Sequence, residues 1–228
     1  MKNLVVLSGA GISAESGLKT FRDADGLWEG HDIMEIASFD GFLKNPTLVL
    51  DFYNQRRRQL HEVSPNKAHI LLTELETYFN VQIITQNVDD LHERAGSKQV
   101  IHLHGELFKA RSLNDISLIY DWKDDIVMGT KNNQNHQLRP HIVWFGEAVP
   151  EMDNAIKIVQ NADILVIIGT SLQVYPAAGL IDYASKAQEI YYIDQNPATA
   201  SHFNKNIHVI AEKATIGLPI LVDKLLKL

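Results

Sequence analysis

The 228-residue chain contains no cysteine. That absence excludes disulfides, thiolate-held zinc and a cysteine nucleophile together. Long apolar runs are also missing: the longest, Ala162 to Ile168 interrupted by Asp163, falls far short of the roughly 20 residues a membrane span requires. Only Leu4 to Leu7 follow Met1-Lys2-Asn3 before Ser8-Gly9, fewer than the roughly 7 to 15 residues of a signal-peptide core. The expectation is a soluble cytoplasmic protein that does not engage a membrane. Clustered positive charge is scarce too, with 21 Lys+Arg against 28 Asp+Glu, a net charge of -7, and one dense basic run at Arg56-Arg57-Arg58. Nucleic-acid binding rests on a basic face that neutralises phosphates, so it is not expected. Basic, lysine-bearing protein partners remain compatible, and the oligomeric state is left open.

What is present is a 45% hydrophobic composition, enough for one core and a small subdomain but not for two full domains. Short β-branched runs recur at Leu4-Leu7, Val81-Ile84, Ile164-Ile168, Ile190-Ile193 and Ile207-Ile210. Runs that are apolar almost throughout suit strands buried on both faces, as in a parallel sheet. Between them lie helical patterns, such as Asn66 to Glu76 with an Asn cap and Ala214 to Leu226 at the end of the chain. The alternation predicts an α/β fold, a Rossmann-like doubly wound parallel sheet. Two stretches break it. Between His31 and Ser64 only helical patterns occur, one opening at Asn45-Pro46, where Asn can cap and Pro can fill the first turn. From Glu106 to Pro140 the chain is rich in polar turns. The reading is a single domain, 1-228, whose core comprises 1-30, 65-105 and 141-228, with insertions 31-64 and 106-140 forming the small subdomain.

The first strand runs into Ser8-Gly9-Ala10-Gly11-Ile12-Ser13, a turn whose backbone N–H groups and following helix N-terminus can approach a pyrophosphate. It departs from G-x-G-x-x-G, with Ala14 in the third glycine's place. In place of a second strand ending in an acidic residue, the loop Gly17 to Trp28 follows, which counts against a hydride-transfer enzyme. Gln86-Asn87-Val88-Asp89 and Gly169-Thr170-Ser171 each end a buried strand, where open α/β sheets place their ligands. Any of these taken singly could be a tight turn or a helix cap.

In order and approximate spacing, Gly9-Ala10-Gly11-Ile12-Ser13, Thr20-Phe21-Arg22, Thr85 to His92, His102-Leu103-His104-Gly105, Val143-Trp144-Phe145-Gly146-Glu147 and Gly169-Thr170-Ser171 resemble the sirtuin motif series. The resemblance spans about Leu4 to Leu226 and is nearest the bacterial class III members. It implies an NAD-dependent protein deacylase acting on acyl-lysine in protein or peptide substrates. NAD contacts would come from Gly9, Ala10, Gly11, Ser13, Phe21, Arg22 and Trp28; from Gln86, Asn87, Val88 and Asp89; from Gly169, Thr170 and Ser171; and from Gln195, Asn196, Pro197 and Ala214. His104 takes the catalytic position, since a neutral imidazole can accept a proton, whereas His102 reads as structural. In the sirtuin scheme the acyl oxygen attacks the nicotinamide ribose, nicotinamide leaves, and the histidine helps deprotonate a ribose hydroxyl. The products are free lysine, nicotinamide and O-acyl-ADP-ribose.

Phe52 to Arg58 resembles the class III acyl-pocket motif. By that resemblance Tyr53 and Arg56, three residues apart on one helix face, would form a receptor for the carboxylate of a succinyl or malonyl group, and Thr20 stands where many sirtuins carry Asp, which removes a like-charge neighbour. Without the resemblance, Arg56 to Arg58 also suit a solvated helix face. Ile142 to Phe145 reads as strand-like, with Val143 and Phe145 pairing with substrate backbone and flanking the acyl-lysine tunnel. The chain departs from most sirtuins in lacking four zinc-binding cysteines. Ser112 and Asn133 to Asn135 stand near those positions, and His136, His141, Asp124 and Asp125 lack metal-ligand spacing, so no metal is expected. In zinc's place, Leu113, Ile116, Leu118, Ile119, Tyr120, Trp122, Ile126, Val127 and Met128 are expected to pack the insertion on itself. Two rival readings use the same pocket: an ADP-ribosyltransferase or NAD glycohydrolase, and a non-catalytic NAD or ADP-ribose sensor.

Overall fold

The structure, a computed structural model, describes residues 1–19, 27–28, 30–198 and 207–227, with 27 and 28 described by backbone alone. In chain order the strands are β1 (Asn3–Ser8), β2 (Leu27–Trp28), β3 (His31–Asp32), β4 (Asn80–Thr85), β5 (Val100–His102), β6 (Gly105–Ser112), β7 (Ile119–Asp121), β8 (Leu138–Ile142), β9 (Ile164–Ile168), β10 (Glu189–Ile193) and β11 (His208–Ile210). The α-helices are α1 (Ile33–Ile36), α2 (Phe39–Lys44), α3 (Pro46–Glu62), α4 (Lys67–Leu75), α5 (Leu91–Ala95), α6 (Met152–Val159) and α7 (Ala214–Leu225).

Six strands form one sheet in the order β11-β10-β9-β1-β4-β5, and every pairing in it is parallel. Side-chain alternation along each strand splits its apolar residues between two cores. Leu4, Val6, Val81, Ile83 and Val166 pack with Leu72 of α4 and Leu218 and Leu221 of α7. Val5, Leu7, Ile84, Leu165 and Ile167 face the other way, against Ala155 and Val159 of α6 and the 3-10 segment Ala177–Tyr183. This is the doubly wound α/β sheet that the alternating pattern predicts. No helix among the described residues is long and apolar enough to cross a membrane.

A third cluster joins α1, α2 and α3 to the antiparallel sheet β7-β6-β8 through Ile36, Phe42, Phe52, Leu107, Ile126 and Trp144. The cap expected at Asn45-Pro46 is present, with the Asn45 side chain accepting from Leu48 N. Two differences from the sequence reading stand out. His31 and Asp32 pair as β3 with β2 before the helices begin, and the stretch 106-140 is mostly strand and turn rather than a module packed on its own apolar side chains. Ile116, Ile119, Val127 and Met128 are 44–68% exposed, whereas Ile126 is fully buried.

Polar groups hold that module. Asn54, buried on α3, donates to Ile126 O and accepts from Ile126 N, both at 2.9 Å. Arg57 is wholly buried and donates to Leu107 O and to Asn54 Oδ1; burial lowers its pKa to about 10. At the module's far end Ser112 Oγ meets His136 Nδ1 at 3.2 Å and accepts from Asn114 N and Asp115 N, while Asn132 accepts from the amides of Gln134 and His136 and donates to Tyr120 OH. Among the described residues no group of three or more His, Asp or Glu side chains is placed to hold a metal ion. The contacts of Asn54 and Arg57 cross-link this stretch to α3. Replacing Asn54 by Ala strands buried partners on Ile126 and Arg57, and is expected to cost about 2–4 kcal/mol in urea unfolding; a change under roughly 0.5 kcal/mol, the range of an ordinary surface substitution, would contradict the clamp.

Candidate active site

Ser8 of β1 lies level with Thr85 of β4 and Ile168 of β9. The loops leaving these three neighbouring strands therefore start side by side at the sheet's carboxyl edge, on either side of β1, where the chain changes direction across the sheet. Backbone hydrogen bonds lock them together: Gly9 N to Ile168 O, Gly11 N to Gly169 O and Gln86 N to Ser8 O, at 2.8–3.0 Å. A Cβ on Gly9 would sit 2.7 Å from Thr170 Cβ, and one on Gly11 2.7 Å from Gly169 Cα, so the close approach requires glycine at both. The expected helix N-terminus is not there. After Gly9 the chain makes two 3-10 turns, Ala10–Ile12 and Ala14–Ser16, so the turn's own amides replace a helix end.

These loops and the small lobe enclose a cavity of about 880 Å³ lined by Gly9, Ala10, Gly11, Ser13, Gln86, Asn87, Val88, Asp89, His104, Gly169, Thr170, Ser171 and Asn196, and on the lobe side by Tyr53, Arg56, Val143 and Phe145. Five strand-end or loop motifs scattered over 188 residues of sequence thus meet in one space. Gln195 is exposed and Pro197 half-buried beside Asn196, outside the lining. Ala214 starts α7 and is buried in the core cluster of that sheet face rather than on the cavity wall. Thr20, Phe21 and Arg22, and the side chain of Trp28, lie outside the described residues.

At the inner end Ser13 Oγ donates to Asp89 Oδ2 at 3.0 Å and accepts from Asn87 Nδ2 at 3.1 Å. Asp89 also accepts from Leu91 N, yet burial outweighs these bonds and raises its pKa to about 6. His69 closes the capping box of α4 by accepting from Asn66 N, which puts its proton on Nε2, facing Ser13 Oγ. Gln86 Nε2 donates to Thr170 Oγ1, tying the second loop to the third.

His104 directs Nδ1 at Gln86 O, 3.0 Å away. A carbonyl only accepts, so Nδ1 carries the proton and Nε2 keeps its lone pair. Desolvation lowers the pKa of His104, against the smaller opposing effect of that hydrogen bond, and keeps the ring neutral. His102 is used differently, held between Asn87 O and Glu93 Oε1 as a structural link.

On the lobe side Tyr53 is 1% exposed and its hydroxyl accepts from Trp144 Nε1 at 3.0 Å; burial pushes its pKa well up, so it stays a neutral phenol. The Arg56 guanidinium lies 3.5 Å over the Phe52 ring and donates to Phe52 O, which fixes it against its own helix. The segment after β8 is strand only through Ile142. Val143 N donates to His104 O and Phe145 N to Ala37 O, which tie this segment to its neighbours, while Trp144 N donates locally to Glu147. Sequence reasoning missed Lys19, Gln59 and the 173–176 loop as cavity wall. Gln59, three residues beyond Arg56 on α3, was detectable by helical spacing; the loop directly follows Ser171 but carries no motif of its own.

The model of the Sir2 family matches residues 9–176. The chain belongs to the Sir2 family. It is similar to two curated proteins named NAD-dependent protein deacylase: one from Helicobacter pylori, 61% identical over all of this chain and 99% of that protein, and one from Bacteroides thetaiotaomicron, 52% identical over 99% of each. Among solved structures, a Sir2 homologue in complex with NAD superposes with a TM-score of 0.88 at 37% identity, over 99% of this chain and 90% of the other. A Sir2 protein bound to an acetylated peptide gives 0.81 at 26% identity, over 97% and 92%. Within that family, this chain has dispensed with cysteine altogether.

The histidines beneath the Sir2 site make the fold acid-sensitive. Burial lowers His69 and His141 from 6.5 to about 4, and holds His92 well below its ordinary value. Unfolding lets each return to its ordinary value, so between about pH 6.5 and about pH 4 the unfolded chain binds protons that the folded chain refuses, and stability falls as pH falls. Asp89 and His102 work in the opposite sense, because their raised pKa values let the folded state take a proton first, but with His104 lowered as well four imidazoles outnumber these two groups. The urea midpoint is expected to drop steadily across that window; a flat profile would show that these rings protonate without unfolding.

Proposed function

We propose that the protein is an NAD-dependent protein-lysine deacylase that removes succinyl and malonyl groups, and acetyl groups as well, releasing nicotinamide and O-acyl-ADP-ribose. The observation that carries this is the meeting, in one cavity, of the glycine turn, a neutral His104 with Nε2 as acceptor, and the Tyr53–Arg56 pair. NAD fits the donor set: turn amides and hydroxyls at the edge of a parallel sheet suit phosphates and ribose, and a volume of about 880 Å³ lies at the upper end of ordinary ligand pockets.

When bound, NAD supplies a nicotinamide leaving group and an electrophilic ribose carbon. Gly9, Ala10, Gly11 and Ser13 hold its phosphate side, with Thr170, Ser171 and Asn196 on the ribose. Asn87 and Asp89, already oriented through Ser13, offer a donor and an acceptor to a carboxamide, and Gln86 reaches a ribose hydroxyl. Phe21, Arg22, Trp28, Gln195, Pro197 and Ala214 complete the cofactor set by family correspondence. His104 accepts a ribose hydroxyl proton on Nε2, while Gln86 O holds Nδ1–H and with it the tautomer. Val143 and Phe145 flank the entering acyl-lysine. A carboxylate at the end of the acyl chain meets the Arg56 fork and the Tyr53 hydroxyl.

His104→Ala is expected to lower deacylation by roughly 10²- to 10⁴-fold, the usual contribution of a general base, with NAD binding retained by calorimetry. Mass spectrometry of reactions with NAD and acylated peptides separates the rival readings: nicotinamide release that needs the peptide supports deacylation, release without it points to a glycohydrolase, and no release to a sensor. Arg56→Met should reduce desuccinylation by at least about tenfold more than deacetylation, the scale of one lost charge-assisted hydrogen bond. Equal loss on both substrates would end the carboxylate-receptor reading.

A further inference from the structure

Behind Tyr53 the small lobe contains an ionic knot around one fully engaged carboxylate, with the Nε atoms of both its arginines left without a partner, that neither cofactor binding nor proton transfer uses. Glu147 Oε1 accepts from Arg139 Nη1, and Oε2 accepts from Arg139 Nη2, Arg111 Nη2 and the backbone amide of Trp144, all at 2.7–2.8 Å. Arg111 Nη2 and Arg139 Nη2 also share Ile142 O. Both arginines are buried, and two guanidiniums against one carboxylate leave a net positive charge in place. The Arg139 guanidinium then lies flat on the indole of Trp144, 3.5 Å from the ring centroid, while Phe42 packs on that indole with centroids 5.3 Å apart. Trp144 is 1% exposed and has no rotational freedom left. A ring fixed this firmly aims its single polar atom, Nε1, at Tyr53 OH.

Indole nitrogen is a donor only. By filling an acceptor position on the phenol oxygen it directs the Tyr53 hydrogen away from itself, so the hydroxyl acts as donor. Arg139 and Arg56 favour negative charge at the Tyr53 position, and Glu147 opposes it by a smaller amount. A neutral acetyl methyl group gains nothing from this arrangement, whereas a carboxylate gains a donor and a favourable field.

We propose, on the acidic-acyl reading above, that Trp144, held by Arg139 and Glu147, is the positioning residue that tunes the acyl pocket for a carboxylate, its indole N–H setting the Tyr53 hydroxyl as donor to the acyl terminus. The chemistry recognised is a short dicarboxylic acyl chain on lysine.

The test is steady-state kinetics on one peptide sequence carrying succinyl- or acetyl-lysine, for the wild type, Trp144→Phe, Tyr53→Phe and the double variant. Trp144→Phe keeps an aromatic ring and loses the N–H. It is expected to raise KM for the succinyl peptide roughly tenfold relative to the acetyl peptide, with the ratio of the two kcat values held. In the Tyr53→Phe background the same substitution should leave the succinyl-to-acetyl KM ratio where Tyr53→Phe alone puts it, because the indole acts through the hydroxyl. Arg139→Lys, which keeps the charge but loses the planar stack, should shift the ratio in the same direction by a smaller factor, and carries the test should Trp144→Phe fail to fold. A loss shared equally by both substrates, or an additive effect in the double variant, overturns the positioning role while leaving a desuccinylating wild type intact. A wild type that releases acetyl but no succinyl or malonyl groups overturns the acidic-acyl reading and this role together.

Discussion

Register in the parallel sheet is the constraint on which the rest depends. Because Ser8, Thr85 and Ile168 stand level, three loops leave the sheet at one height, and their amides and carbonyls bond to one another before any ligand arrives. A slip of a single residue in β1 would exchange its two faces and separate Gly11 from Gly169. The apolar cores on both sides of the sheet are what forbid that slip, since Val5 and Leu7 would have to trade places with Leu4 and Val6. Site geometry and hydrophobic packing are in this sense one interaction, expressed at the ends and in the middle of the same strands.

The second requirement is met by polar contacts as well as apolar ones. The small lobe has a core of its own, but the stretch 106-140 is attached through Asn54, Arg57 and the Arg111–Arg139–Glu147 knot. Buried charges of this kind are expensive to desolvate and contribute mainly when every member is satisfied. Here the carboxylate of Glu147 is fully used, although Arg57, Arg111 and Arg139 each keep one nitrogen without a partner.

Legibility in the sequence followed the physics of each region. The parallel strands are nearly continuous β-branched runs, and the motifs at their ends fall where an open α/β sheet must place a ligand, so strand positions and the glycine turn could be read directly, whereas His104 was singled out only by the family resemblance. The Asn45-Pro46 start of α3 was equally plain. The β7-β6-β8 sheet was not, because its strands carry charged residues such as Glu106, Lys109 and Arg111 and are broken by polar turns. Arg56-Arg57-Arg58 shows the limit most sharply. A run of three like charges suits a solvated face, yet helical rotation turns Arg57 fully inward, leaves Arg56 half-buried and exposes Arg58 to pair with Asp125. Sequence periodicity gives the rotation, but the carbonyl of Leu107 and the Asn54 side chain explain why a cation can be buried there.

Helix α3 bears on two neighbours at once. Tyr53 and Arg56 face the cavity, while Asn54 and Arg57, one residue further on in each case, grip the cysteine-free module. The two pairs are carried on one stretch of helical backbone. A substitution that tilts this helix would therefore disturb the cavity wall and the anchorage of β6 together.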